Sequence, residues 1–198
     1  MPLGRGKGGL GRAYKIKSRN DLNDIGKAGF SRMDYANGPG FLRYFENIRA
    51  RTTRVIECIP REHFEWRPVK GMFSFADLVR HLAATERFMF GENAQCKPSR
   101  YPGNGSELAD GYDAVMQYYR RCHEETVEII SRLSADDLQQ RCQTPGATAI
   151  PVWKWLRSMI EHEVHHRGQI YLMLRLLGVA TPALYGLTSE QVRERSVG

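Results

Sequence analysis

The chain has 198 residues, 41% of them hydrophobic and 26% charged, the proportions of an ordinary globular protein with material for a sizeable core. That excludes disorder throughout, collagen and a disulfide-stapled mini-protein, and no apolar run reaches the roughly 18 residues that a membrane span needs. The net charge of +7 is unevenly placed: six of the 29 Lys and Arg fall in residues 1–20, where no acid does, so the rest of the chain is nearly neutral. A basic tail is a weaker signal than a basic stripe on a domain, and we expect neither a nucleic-acid nor a membrane partner. Met1, Pro2, Leu3, Gly4 and Arg5 lead into no apolar stretch, so no secretory leader is expected. Cys58, Cys96, Cys122 and Cys142 form no C-x-x-C pair and read as free thiols of a cytoplasmic protein.

Nine of the 19 glycines lie in residues 1–40, and Asn37, Gly38, Pro39 and Gly40 close that region with a breaker signal. Residues 1–38 are therefore expected to form a flexible basic segment. A first helix is expected from Phe41 through Phe45, Ile48, Thr52, Val55 and Ile59, spaced by threes and fours and stopped at Pro60. A polar connection containing Trp66 and Pro68 follows. Ser74, with Asp77 three residues on, then caps a second helix whose face carries Leu78, His81, Thr85 and Phe88, down to about Gly91. After a loop over 97–109, a third helix shows the cleanest period: Tyr112, Val115, Tyr119, Cys122, Thr126, Ile129 and Leu133. A connection from Ser134 to Gly146 leads to a fourth helix, opening near Pro151 and closed at Gly178. Residues 179–198 are expected to pack loosely. Four amphipathic helices of about 20–27 residues, with almost no strand alternation, predict an all-α four-helix bundle over 39–198.

Three of the six histidines stand in the string His162, Glu163, Val164, His165, His166. His162 and His166 are one helical turn apart and only about 40° apart around the axis, the natural clamp for a metal ion. Trp155, Met159, Ile170, Met173 and Leu177 lie within roughly 60° of the pair's mean direction, so both histidines interrupt an apolar stripe and face the interior. Unpaired imidazoles there would cost about 1–3 kcal/mol each, a penalty that a shared divalent ion removes. His81 interrupts the face of the second helix in the same way and is a third candidate ligand. His165 is expected beside the site or on the surface. His63 and His123 are expected to be exposed, and Glu86 to face solvent or a neighbouring helix.

The same string satisfies H-E-x-x-H, in which the glutamate of a zinc peptidase is the general base. A third peptidase ligand would have to come from Glu190 or Glu194, in the last nine residues, so this is the weakest reading. Glu163 remains the candidate base of another kind of metal site. Arg167 is expected to pair with a carboxylate on a neighbouring helix, with substrate binding as the alternative. Gln169, about 40° from the ligand direction, could orient an imidazole.

The segment from Ile160 to Gln169, with His166, Arg167, Gly168 and Gln169 after a histidine four residues earlier, resembles the signature of the DinB/YfiT-like metalloenzyme family. Trp66, Arg67 and Pro68, then Ser74, then His81, Leu82 and Ala83 are similar to the same family. The resemblance covers about 41–178. It implies an up-down-down-up bundle, often a homodimer, with zinc or nickel held by His81, His162 and His166. Three protein ligands leave a position for water or substrate, the arrangement of a catalytic site. The expected function is activation of a thiol or water for a small-molecule substrate, either by a thiol-dependent S-transferase or isomerase, to which the resemblance leans, or by a hydrolase. The competing expectation is a non-catalytic, metal-stabilised bundle serving a stress response or a partner. No nucleotide-binding glycine motif is present.

Overall fold

A computed structural model describes residues 37–196; the expected flexible segment lies outside the described residues up to position 36. Helix α1, Gly38–Ile56, starts where the Asn37 side chain accepts the Gly40 N–H at 2.8 Å, with proline in its first turn. A single 3-10 turn, Arg61–His63, follows. Helix α2, Phe75–Thr85, has the expected capping box: the Ser74 hydroxyl accepts the Asp77 N–H at 3.0 Å, and Asp77 accepts the Ser74 N–H at 2.9 Å. Instead of stopping at Gly91, this segment widens into a π-helical turn, Glu86–Phe90, and continues as α3, Gly91–Ala94.

Helix α4 spans Tyr112–Ser131. The connection after it is more ordered than its sequence suggests. Helix α5, Ala135–Gln139, carries its own Ser134/Asp137 capping box, and strands β1, Arg141–Gln143, and β2, Ala149–Pro151, pair antiparallel with Cys142 opposite Ile150. Helix α6, Val152–Leu176, is the longest among the described residues, and α7, Ser189–Arg195, lies in the C-terminal segment. The described residues are thus mostly helical, with one two-stranded sheet. Among the described residues no helix is long and apolar enough to cross a membrane.

Phe41, Phe45, Ile48, Thr52, Val55 and Ile59 are all buried, as their spacing predicts. The apolar interior falls into two clusters. One takes the start of α1 (Phe41, Phe45), the region after α2 (Phe90, Ala94), the end of α4 (Ile130) and the start of α6 (Val152, Leu156). The other takes the opposite ends: Val55 and Ile56, Leu78 and Leu82, Val115 and Tyr119, Ile170 and Leu174. Between them every long helix contributes buried polar groups: Arg49 and Thr52, Thr85 and Glu86, Thr126, then Glu163, His166 and Arg167. A polar layer therefore crosses the middle of the core; His166 belongs to it, while His81 and His162 are half-buried.

Candidate metal centre

His81 sits one turn before the end of α2, and His162 and His166 sit mid-way along α6. One ring nitrogen from each lies within 4.8 Å of the others. His162 Nε2 is 3.0 Å from His81 Nε2 and 3.1 Å from His166 Nε2. Bonds of about 2.0–2.1 Å in a tetrahedral site put two nitrogens roughly 3.3 Å apart, so the spacing is close to that of ligands sharing an ion.

The outer nitrogens assign the protons. His166 Nδ1 faces Gln169 Oε1 at 2.7 Å, an acceptor, which places the proton on Nδ1. His81 Nδ1 lies 2.7 Å from Tyr101 Oη, which itself donates to Asn104 Oδ1 at 3.1 Å. The tyrosine oxygen is then the acceptor for His81 Nδ1–H. Both Nε2 atoms turned toward His162 consequently carry lone pairs. A proton on His162 Nε2 satisfies only one of them, and the other contact sets lone pair against lone pair. A divalent cation accepts all three, so the donor set fits a metal ion.

Electrostatics favours the same state. Burial, with the neighbouring histidines adding to it, lowers the His81 pKa to about 4 and the His162 pKa to about 3. His166 is also lowered, again mainly by burial. Imidazoles that stay neutral at pH 7 offer their lone pairs without first losing a proton.

The site opens on one side into a cavity of about 530 Å³ lined by His81 and His162 together with Thr85, Met89, Ser99, Arg100, Tyr101 and Pro145. The π-turn helps to build this wall. The Phe88 carbonyl, within the widened turn, accepts the Arg100 N–H at 2.7 Å and draws the loop carrying Tyr101 against the histidines. Phe73 flanks His81, ring centroids 5.6 Å apart.

Glu163 does not join the histidines. Its carboxylate turns into the polar layer, where Oε2 is 3.1 Å from Arg49 Nη1, and it is not in the group of converging ligand atoms. Neighbours on a helix point about 100° apart, so the residue after a ligand faces another part of the interior. Arg49 also pairs with Glu86 at 2.7 Å, donates to the Tyr119 carbonyl at 3.2 Å and stacks over the Tyr119 ring. Burial opposes these charges, but their mutual attraction prevails: Arg49 is raised and Glu86 lowered from their ordinary values. Glu86 is thus interhelical.

His123, expected on the surface, is drawn between Glu86 at 2.7 Å and Glu46 at 3.2 Å. Arg167 is buried and donates to the Ile48 carbonyl at 3.3 Å, a backbone partner in place of the expected carboxylate. His165 is exposed with its ring 4.9 Å from that of His166, and His63 is exposed as expected. Glu190 and Glu194 take no part in the cluster. Tyr101 and Arg49 were not singled out from the sequence. Tyr101 lies in a loop with no period to aim it. Arg49 stands three residues before Thr52 on the buried face of α1, a polar pair at helical spacing that could have marked it.

A helical fold with three inward histidines from two helices and a cavity beside them defines a class: helical proteins with a preformed tri-histidine centre. The family model of the DinB superfamily matches residues 44–170. The chain belongs to that superfamily. It is 23% identical over 137 residues to the uncharacterized protein YjoA of Bacillus subtilis strain 168, an alignment covering 68% of this chain and 87% of YjoA. A DinB-like protein from Bacillus cereus ATCC 10987 superposes with a TM-score of 0.64 at 19% identity, over 76% of this chain and 99% of its own. The crystal structure of YjoA gives 0.56 at 20% identity, over 70% and 92%. At these identities the structures establish likeness of fold.

Proposed function

We propose that His81, His162 and His166 hold one divalent ion, zinc or nickel, and present it to a thiol or water in the adjoining cavity, making the chain a small-molecule S-transferase, isomerase or hydrolase. The convergence of three imidazole nitrogens, two of them with outer protons held by Gln169 and Tyr101, carries this reading. A divalent ion supplies Lewis acidity, which lowers the pKa of a coordinated thiol or water. Gln169 and Tyr101 fix the tautomers and orient the rings. Thr85, Met89 and Pro145 shape the space a substrate would enter. Glu163, held by Arg49, anchors the helix that carries His162, which counts against the peptidase reading.

The same reading takes the four long helices as an up-down-down-up bundle. In support, α1 and α6 begin in the cluster of Phe41 and Leu156, whereas the α2 and α4 segments end in it.

The test is metal content by mass spectrometry on untagged protein, beside His81→Ala and His166→Ala variants. We expect one equivalent in the parent and loss from both variants. A parent that binds no ion after reconstitution overturns the proposal, whereas bound metal that no added thiol or substrate reaches would favour the non-catalytic bundle.

A further inference from the structure

The cavity beside the histidines is lined by eight residues, of which Arg100 alone carries a permanent charge. Its surroundings leave that charge largely unspent. Among the described residues Glu92 is the one carboxylate paired with it, at 3.7 Å, and the same Glu92 oxygen is already held by Arg87 at 2.7 Å. The Arg100 side chain is 68% exposed, with its guanidinium carbon 5.4 Å from the Phe88 ring centroid. The backbone beneath it is fixed. Its N–H is bound to the Phe88 carbonyl, and the next residue, Tyr101, is hydrogen-bonded to His81. A guanidinium presents a rigid fork of N–H donors whose geometry matches a carboxylate.

From this we infer that the cavity takes a small-molecule anion whose carboxylate docks on Arg100 while its other end faces His81 and His162. At the end of the cavity away from the histidines Arg100 is the one charged lining group, and a monoanionic carboxylate matches one guanidinium better than a phosphate dianion does. Ser99 lines the same cavity and brings a hydroxyl to its wall. The volume of about 530 Å³ is that of a site for a small organic molecule.

The inference rests on the proposed metal site, and its test separates the two. Cobalt(II)-loaded protein is titrated with 3-mercaptopropionate and with 2-mercaptoethanol, two thiols that differ in the carboxylate, and the visible bands of cobalt report binding. The parent is expected to bind the carboxylate thiol about tenfold more tightly, the scale of one charge-assisted hydrogen-bonded pair. Arg100→Gln should abolish that preference while cobalt content and affinity for 2-mercaptoethanol stay as they were, and Arg100→Lys should retain part of it. Equal affinities in the parent, or a preference that survives Arg100→Gln, overturn the role of Arg100 and leave the metal site standing. Protein that takes up no cobalt, or whose bands neither thiol perturbs, overturns both.

Discussion

Tyr101 and Gln169 matter at the residue scale because a histidine ligand is only as well aimed as the hydrogen bond on its far nitrogen allows. Tyr101→Phe removes the acceptor for His81 Nδ1–H together with the exposed hydrogen bond to Asn104, while the ring remains to cover His81. We expect the metal dissociation constant to rise about tenfold, read by chelator competition, with the unfolding midpoint of metal-free protein almost unmoved. Arg49 is the opposite case, a group that matters to the fold. Its guanidinium is the shared partner of Glu86 and Glu163, all three nearly inaccessible. Arg49→Met leaves Glu163 without its cation and Glu86 with His123 alone, and urea unfolding should show a loss of about 3–5 kcal/mol. Adding Glu86→Gln and Glu163→Gln should recover part of that loss. The convergence of His81, His162 and His166 was legible because a histidine on an apolar stripe contradicts its surroundings. The turn of Glu163 toward Arg49, away from the histidine cluster, was not legible, because H-E-x-x-H is a pattern along the chain. Which way a side chain turns depends on a partner 114 residues away.

At the scale of elements, the helix starts were the most readable features, since a cap is local chemistry: Ser74 with Asp77 writes its hydrogen bonds into four consecutive positions. The π-turn over Glu86–Phe90 left no such trace, and strands of three residues are too short to alternate visibly. The start of α1 shows how an element is held from outside. The Gly38 N–H donates to the Leu133 carbonyl at 2.9 Å, and a Cβ at position 38 would stand 1.8 Å from the Ile130 carbonyl oxygen. Backbone meets backbone there, with no flexible side chain to yield. Gly38→Ala should therefore destabilise by about 1–3 kcal/mol in urea unfolding, the range for forced overpacking, although alanine is ordinarily the better helix former. A sequence reading takes Gly38 as a breaker; in the structure it is the point where α1 closes on the end of α4.

For the whole molecule, two groups of histidines make stability depend on pH with opposite signs. His81, His162 and His166 are lowered by burial, so below about 6.5 the unfolded chain takes up protons that the folded one refuses. Metal-free protein should lose stability as pH falls from 6.5 toward 4. His123 opposes this. Burial would lower it, but its hydrogen bond to Glu86 and the charges of Glu86 and Glu46 prevail and raise it. Its contribution is full below 6.5 and is lost as pH rises through the higher folded value. Glu86, lowered against burial by Arg49 and His123, adds a further loss only once pH falls below its ordinary 4.5. Metal-free protein should therefore be most stable near pH 6.5, as urea midpoints at pH 5, 6.5 and 8 would show. His123→Gln should flatten the alkaline limb, and His162→Ala the acid limb. Metal loading should raise the curve most at pH 8 and least at pH 5, because protons compete with the ion for the same lone pairs. Loading that stabilises equally at pH 5 and pH 8 would mean that the ion sits on groups other than these histidines.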